Sequence, residues 1–143
     1  MTSIIKVDQI QNAAGGTPTA ADLGLNVSGS VLQVVNSALT GGVTTTSATF
    51  IDTGLSAVIT PTSASSKILV LVSLISIENS ATVSGASVNL RRDSTDLSEW
   101  GRFMAYNYTY GTHHPSINYL DSPATTSAIT YKAQMKRSTG SGN

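Results

Sequence analysis

No cysteine occurs in the 143 residues, which excludes thiol nucleophiles, disulfide scaffolds and cysteine-based zinc sites. Stability must come from packing or association. Charge is scarce too: Asp, Glu, Lys and Arg make up 11% of the chain, against about 25% in ordinary soluble domains. Eight acidic and eight basic residues cancel, and the pI is near 6.7. Such a chain has no electrostatic footprint for a phosphate backbone, so a nucleic-acid partner is disfavoured. The most apolar run, residues 68–77, is broken by Ser73 and Ser76. It falls far short of the roughly 20 residues that span a bilayer, so no membrane insertion is expected. The first residues hold no basic stretch followed by an apolar one, which argues against a secretory signal and for synthesis in a cytosol.

What the chain has instead is Ser and Thr, roughly forty of them, with 40% hydrophobic residues. That mixture suits half-buried strands and disfavours long helices. Residues 1–29 carry few core-sized groups between Gly, Ala and Thr connectors, as in Ala13-Ala14-Gly15-Gly16-Thr17-Pro18. They read as an extended arm that needs a partner surface. From residue 30 onward the pattern changes. A β-branched strand signal covers residues 31–39 and is closed by Gly41-Gly42; further signals fall at 48–51, 57–60, 67–78, 88–91, 103–110, 117–120 and 127–136. Residues 68–72 are apolar throughout, as in a central strand covered on both faces. The run Arg92-Asp93-Ser94-Thr95-Asp96 has the composition of a hairpin turn. Residues 138–143 read as another turn whose return strand is missing, which would leave the strand before it as an open edge. Short strands separated by frequent turns predict an all-β fold: an antiparallel β-sandwich over residues 30–143, of jelly-roll type, preceded by the arm.

Three constellations invite a chemical reading. Asp52-Thr53-Gly54 between apolar strands resembles the active-site loop of aspartic proteases, where two chains would share one proton between paired carboxylates. The bulky Leu55 follows where that loop has Ala or Ser, and no supporting apolar-apolar-Gly element lies downstream. Asp52 therefore reads as the cap of a turn between two strands, with Thr53 and Gly54 supplying its geometry. His113 and His114 are the only histidines, too few for a metal site without symmetry copies. Six of the eight aromatics, Trp100, Phe103, Tyr106, Tyr108, Tyr110 and Tyr119, fall in one window. On a strand Tyr106, Tyr108 and Tyr110 share a face; with His113 and His114 they form the candidate ligand site, apt for stacking on sugar rings or a protein surface. The competing reading packs the same stripe in the core or against a neighbouring subunit. No Ser/His/Asp order and no phosphate-cradling Gly loop stands out, so neither an enzyme nor a cofactor is expected.

Several phrases are similar to those of small virion proteins of tailed bacteriophages. They are the opening Ile4-Ile5-Lys6-Val7-Asp8-Gln9-Ile10, the junction Gly29-Ser30-Val31-Leu32-Gln33, the stretch Phe50-Ile51-Asp52-Thr53-Gly54-Leu55, and Ser65-Ser66-Lys67-Ile68-Leu69. Later phrases, Leu90-Arg91-Arg92-Asp93 and Thr130-Tyr131-Lys132-Ala133-Gln134, also resemble the trimeric jelly roll of the tumour necrosis factor and complement globular-head type. The resemblance implies a homotrimeric tail fibre or fibre-like appendage, assembled in the host cytoplasm. Residues 1–29 would dock onto other virion proteins, and the β-domain would face a host-surface glycan or protein. A capsid decoration or head-fibre protein is the alternative within the same resemblance, a dimeric aspartic protease using Asp52 the alternative outside it. The family pattern also implies a further strand after Asn143.

Overall fold

The structure is a computed structural model that describes residues 10–11, 14–18, 30–75, 77–79, 84–104 and 111–139. The chain divides into two compact units, Met1–Val34 and Val35–Asn143. In the first, residues 14–16 make a turn in which Gly15 takes a φ of 80°, a value that suits a residue without Cβ. Residues 30–34 run on without joining a sheet.

Every regular element described is a strand, and every pairing is antiparallel. The strands are β1 (Ile51–Ile59), β2 (Ile68–Ser73), β3 (Ile77–Asn79), β4 (Ser84–Arg92), β5 (Thr95–Met104), β6 (Gly111–His113), β7 (Ser116–Asp121) and β8 (Ile129–Thr139). Four form one sheet in the order β1-β8-β4-β5, while β2 pairs with β7 and β3 with β6. One face of the four-stranded sheet supplies Leu90, Ile129 and Tyr131 to the core. Against them pack Ile59 and Leu97 of the same sheet and Ile68, Val70, Val72 and Tyr119 of the β2–β7 pair. Two sheets meeting through alternate residues are a sandwich, and the all-β antiparallel expectation holds.

Alternation shows how the sequence makes this layer. In β2 the half-buried residues are Ile68, Val70 and Val72, and the exposed ones are Leu69, Leu71 and Ser73. In β7, Ile117 and Asp121 are buried while Ser116, Asn118 and Leu120 face outward. The expected hairpin is present: β4 and β5 turn at Asp93 and Ser94, with Asp93 at a φ of 50°. The backbone N–H of Asp93 donates to the Thr130 carbonyl at 2.8 Å, and the Thr130 N–H donates to Asp93 Oδ1 at 2.9 Å, which ties the turn to β8. An Asp tolerates the left-handed conformation because its short side chain bonds locally.

Four expectations change. Residues 31–39, rich in Val and Leu, belong to no strand; their β-propensity finds no partner among the described residues. Residues 48–51 and 57–60 are not two strands flanking a turn. Ile51 and residues 57–59 lie in one continuous strand, β1, whose register against β8 shifts between Asp52 and Ser56, and residues 48–50 and 60 lie outside it. Gly54, at a φ of 87°, supplies the left-handed residue of that irregularity, so a turn-like triplet serves as a bulge. β8 is no open edge, because β1 and β4 flank it on both sides. Finally, β2 is not a central strand covered on both faces: among the described residues it pairs with β7 alone, and its outer residues Leu69 and Leu71 are open.

Candidate functional site

The two sheets present unlike outer faces. On the four-stranded sheet polar outer residues bond to one another across strands, with Val58 of β1 an exposed apolar exception. Asp52 of β1 accepts from Lys132 Nζ at 3.0 Å and from Gln134 Nε2 at 2.6 Å, both on β8. Asn89 of β4 donates through Nδ2 to Gln134 Oε1 at 3.2 Å and to Asp96 Oδ1 of β5 at 2.8 Å. Lys136 pairs with Glu99 at 2.9 Å and lies 4.2 Å above the Phe50 ring. The Ser87 and Ser138 hydroxyls share a hydrogen bond at 2.6 Å. Within this network Asn89 Oδ1 is the buried side-chain atom left without a partner among the described residues.

Asp52 sits at the edge of a small open depression of about 150 Å³ lined by Gly54, Leu55, Ser56, Thr130 and Lys132. The Gln134 amide, and then the Lys132 ammonium, hold its carboxyl below the usual carboxylate range. A proton-sharing pair needs the opposite, a carboxyl that keeps its proton near neutrality. The neighbourhood of Asp52 is that of a cross-strand ion pair, and its expected place in a turn is replaced by one on the outer side of a strand.

A second polar cluster lies between the sheets. Asp121, buried on β7, accepts from Nη1 of Arg92 at 2.8 Å and 2.6 Å, one bond to each carboxylate oxygen. The Tyr131 hydroxyl donates to Oδ2 at 2.6 Å and the Ser122 N–H to Oδ1 at 2.8 Å. Arg92 and Tyr131 belong to β4 and β8, so this carboxylate fastens one sheet to the other. The Asp121 hydrogen bond raises the Arg92 pKa, and burial, followed by the same carboxylate, raises that of the Tyr131 phenol. The cluster is structural: both oxygens of the buried carboxylate are taken up by groups that join the two sheets.

The outer face of β2–β7 has the opposite character. Leu69 and Leu120 are direct cross-strand partners, exposed to 61% and 59%, and Leu71, opposite Asn118, is exposed to 68%. Ser73 faces Ser116 at the far end. The six outer residues of this face include no charge. Sequence reasoning registered the apolar run but took it to be covered on both sides. The structure covers one side only and leaves a contiguous leucine patch, the kind of surface that marks association.

Of the candidate ligand residues, Tyr106, Tyr108 and Tyr110 lie outside the described residues. His113 ends β6 opposite Ile77, half-buried, and His114 follows it, exposed; each is engaged by a group of the protein. Trp100 and Phe103 are placed by their backbones on β5, opposite Val88 and Ala86. Tyr119, from the same aromatic window, packs on the core. Among the described residues no three His, Asp or Glu side chains gather as a metal site. A scan against protein-family models, a search of curated proteins and a search of solved structures each give no match to this chain.

Proposed function

We propose that the chain is a non-enzymatic structural protein of a tailed-phage virion. It acts as a homotrimeric tail fibre or fibre-like appendage whose jelly-roll sandwich is held to the particle by residues 1–29 and turned toward the host surface. The observation that carries the reading is the contrast between the faces. The four-stranded sheet ends in matched ion pairs suited to water, while the β2–β7 sheet ends in Leu69, Leu71 and Leu120. A low-charge chain with an uncovered leucine patch is a subunit that meets other chains. The number three and the virion come from the phage-like phrases around Ile4, Ser30, Phe50 and Lys67. Host contact is assigned to Tyr106, Tyr108, Tyr110, His113 and His114, whose rings suit a glycan or protein surface.

Electron microscopy of intact particles carrying a tagged chain tests the proposal. Label at the tail or its fibres is the expected result. Label spread over the capsid selects the decoration alternative, and absence of the chain from purified particles overturns the virion reading altogether.

A further inference from the structure

Between Asp52 and Ser56 the strand β1 departs from its neighbour. It advances four residues from the partner of Gln134 to the partner of Lys132, while β8 advances two. The Thr53 hydroxyl bridges the gap in the ladder: it donates to the Ala133 carbonyl at 2.8 Å and accepts from the Leu55 N–H at 3.2 Å. In the middle stands Gly54, left-handed and without a side chain. The outer side of β1 therefore reads Asp52, Gly54, Ser56, with only a hydrogen where a side chain would fill the centre. The depression beside Asp52, about 150 Å³ in volume, lies at this bulge. Bulges recur beside binding sites because they re-aim side chains that regular pairing would hold in line.

A volume of about 150 Å³ takes one six-membered ring. The lining selects the kind of ring. Asp52 and Lys132 contribute one charge of each sign, 3.0 Å apart. An anion would meet the carboxylate and a cation the ammonium, so a neutral ligand fits. Neither charged group is exhausted by the pair. Each Asp52 oxygen accepts one bond, from Gln134 or from Lys132, and a carboxylate oxygen can accept a second. The ammonium donates to Asp52 and has further N–H groups. Ser56, exposed, and Thr130, half-buried, add hydroxyls that donate or accept. Leu55 adds C–H surface at the same place. Gln134 and Lys132 hold the carboxyl below the usual carboxylate range, so it stays ionised and its bonds to ligand hydroxyls are of the strong, charge-assisted kind. A small uncharged ring that carries several hydroxyls with C–H groups between them matches this set. Such a ring is a neutral hexose.

We propose that the depression between β1 and β8 is a binding site for one neutral sugar ring, held by Asp52, Lys132, Ser56 and Thr130. Hydroxyls of the ring donate to the carboxylate oxygens and accept from the ammonium. The Asp52–Lys132 bond stays intact, whereas a zwitterionic ligand would have to separate the pair. The site uses none of Tyr106, Tyr108 and Tyr110. It depends on neither the oligomeric nor the virion reading, since all its residues belong to one chain.

Saturation-transfer NMR on the full chain tests this with the methyl glycosides of glucose, galactose, mannose and N-acetylglucosamine. At least one should receive saturation, with a Kd in the millimolar range that an open one-ring site allows. Asp52→Asn keeps the shape and loses the charge; it should weaken binding about tenfold, the difference between a charged and a neutral acceptor. Ser56→Leu keeps both charges and fills the space, so it should abolish transfer. Asp96→Asn, on the far edge strand of the same sheet, should bind as the wild type does. Circular dichroism checks that each variant keeps the β-rich fold. Glucuronate and protonated glucosamine should bind more weakly than the best neutral glycoside, and a charged sugar that binds more tightly overturns the neutral-ring assignment. No transfer from any of the four glycosides, or a Kd unchanged in either folded variant, Asp52→Asn or Ser56→Leu, overturns the site.

Discussion

Replacing Asp121 by Ala tests how the two sheets are held together. The carboxylate is buried, with 7% of its side chain exposed, and it receives four hydrogen bonds, two of them from Arg92 Nη1 and one from the Tyr131 hydroxyl. Truncation strands a guanidinium and a phenol between the sheets. Breaking a buried charge pair from one side costs about 3–5 kcal/mol. Arg92 keeps 22% of its side chain exposed and rehydrates in part, which places the loss near the lower end, about 3 kcal/mol. For a domain of this size each kcal/mol lowers Tm by about 4 °C, so a fall of about 12 °C is expected. Urea and thermal unfolding followed by far-ultraviolet circular dichroism, at one fixed protein concentration so that any association contributes equally, reads it directly. A second substitution, Arg92→Ala, should then cost far less in the Asp121→Ala background than alone, with a coupling of about 2 kcal/mol. A loss under about 1 kcal/mol for Asp121→Ala, the range of a surface pair, would refute the argument.

Three further outcomes follow from the same geometry. Burial and the Asp121 carboxylate hold the Tyr131 phenol above its ordinary pKa of about 10, so its contribution is fully present below that pH and is lost as pH rises beyond it; Tyr131→Phe should flatten the alkaline limb of the stability curve, and an unchanged limb contradicts the assignment. Asp52 is depressed instead, so its contribution is present above the unfolded carboxylate range and disappears as pH falls through the lowered value. With 49% of the side chain exposed, Asp52→Asn should cost under about 1 kcal/mol at pH 7 and leave assembly intact; peptide cleavage lost with the substitution would revive the protease reading. Gly54→Ala meets only Leu39 at 3.6 Å but must hold a φ of 87°, so a loss of about 1–2 kcal/mol is expected in urea unfolding, and a neutral result would show that the bulge relaxes.

Much of this fold is legible from residue order, and the misses share one cause. The β4–β5 hairpin and strands β7 and β8 follow from alternation and from turn residues such as Asp93 and Pro123, which act locally. What failed depends on what lies across a strand. Residues 31–39 carry the composition of a strand and find no partner among the described residues, because β-propensity expresses fit to a neighbour rather than a backbone preference. The run at residues 68–72 correctly signals two apolar faces, but composition does not say that the second face is left open. Asp52-Thr53-Gly54 reads equally well as a turn or a bulge, since both need a left-handed glycine. The Asp121 cluster was missed because Arg92, Asp121 and Tyr131 are far apart in sequence and meet only through the pairing of β4 with β8 and the packing of β7 across them.

Self-association through the leucine face is the central claim, and sedimentation equilibrium of the full chain tests it most directly. The wild type should show three times the single-chain mass of 14.8 kDa. A Leu69→Gln/Leu71→Gln variant, altered only where both side chains are open to solvent in one chain, should sediment as a single chain with an unchanged β-rich circular dichroism spectrum. A wild type that remains at 14.8 kDa across the concentration range, or a variant that keeps the wild-type mass, would contradict the account.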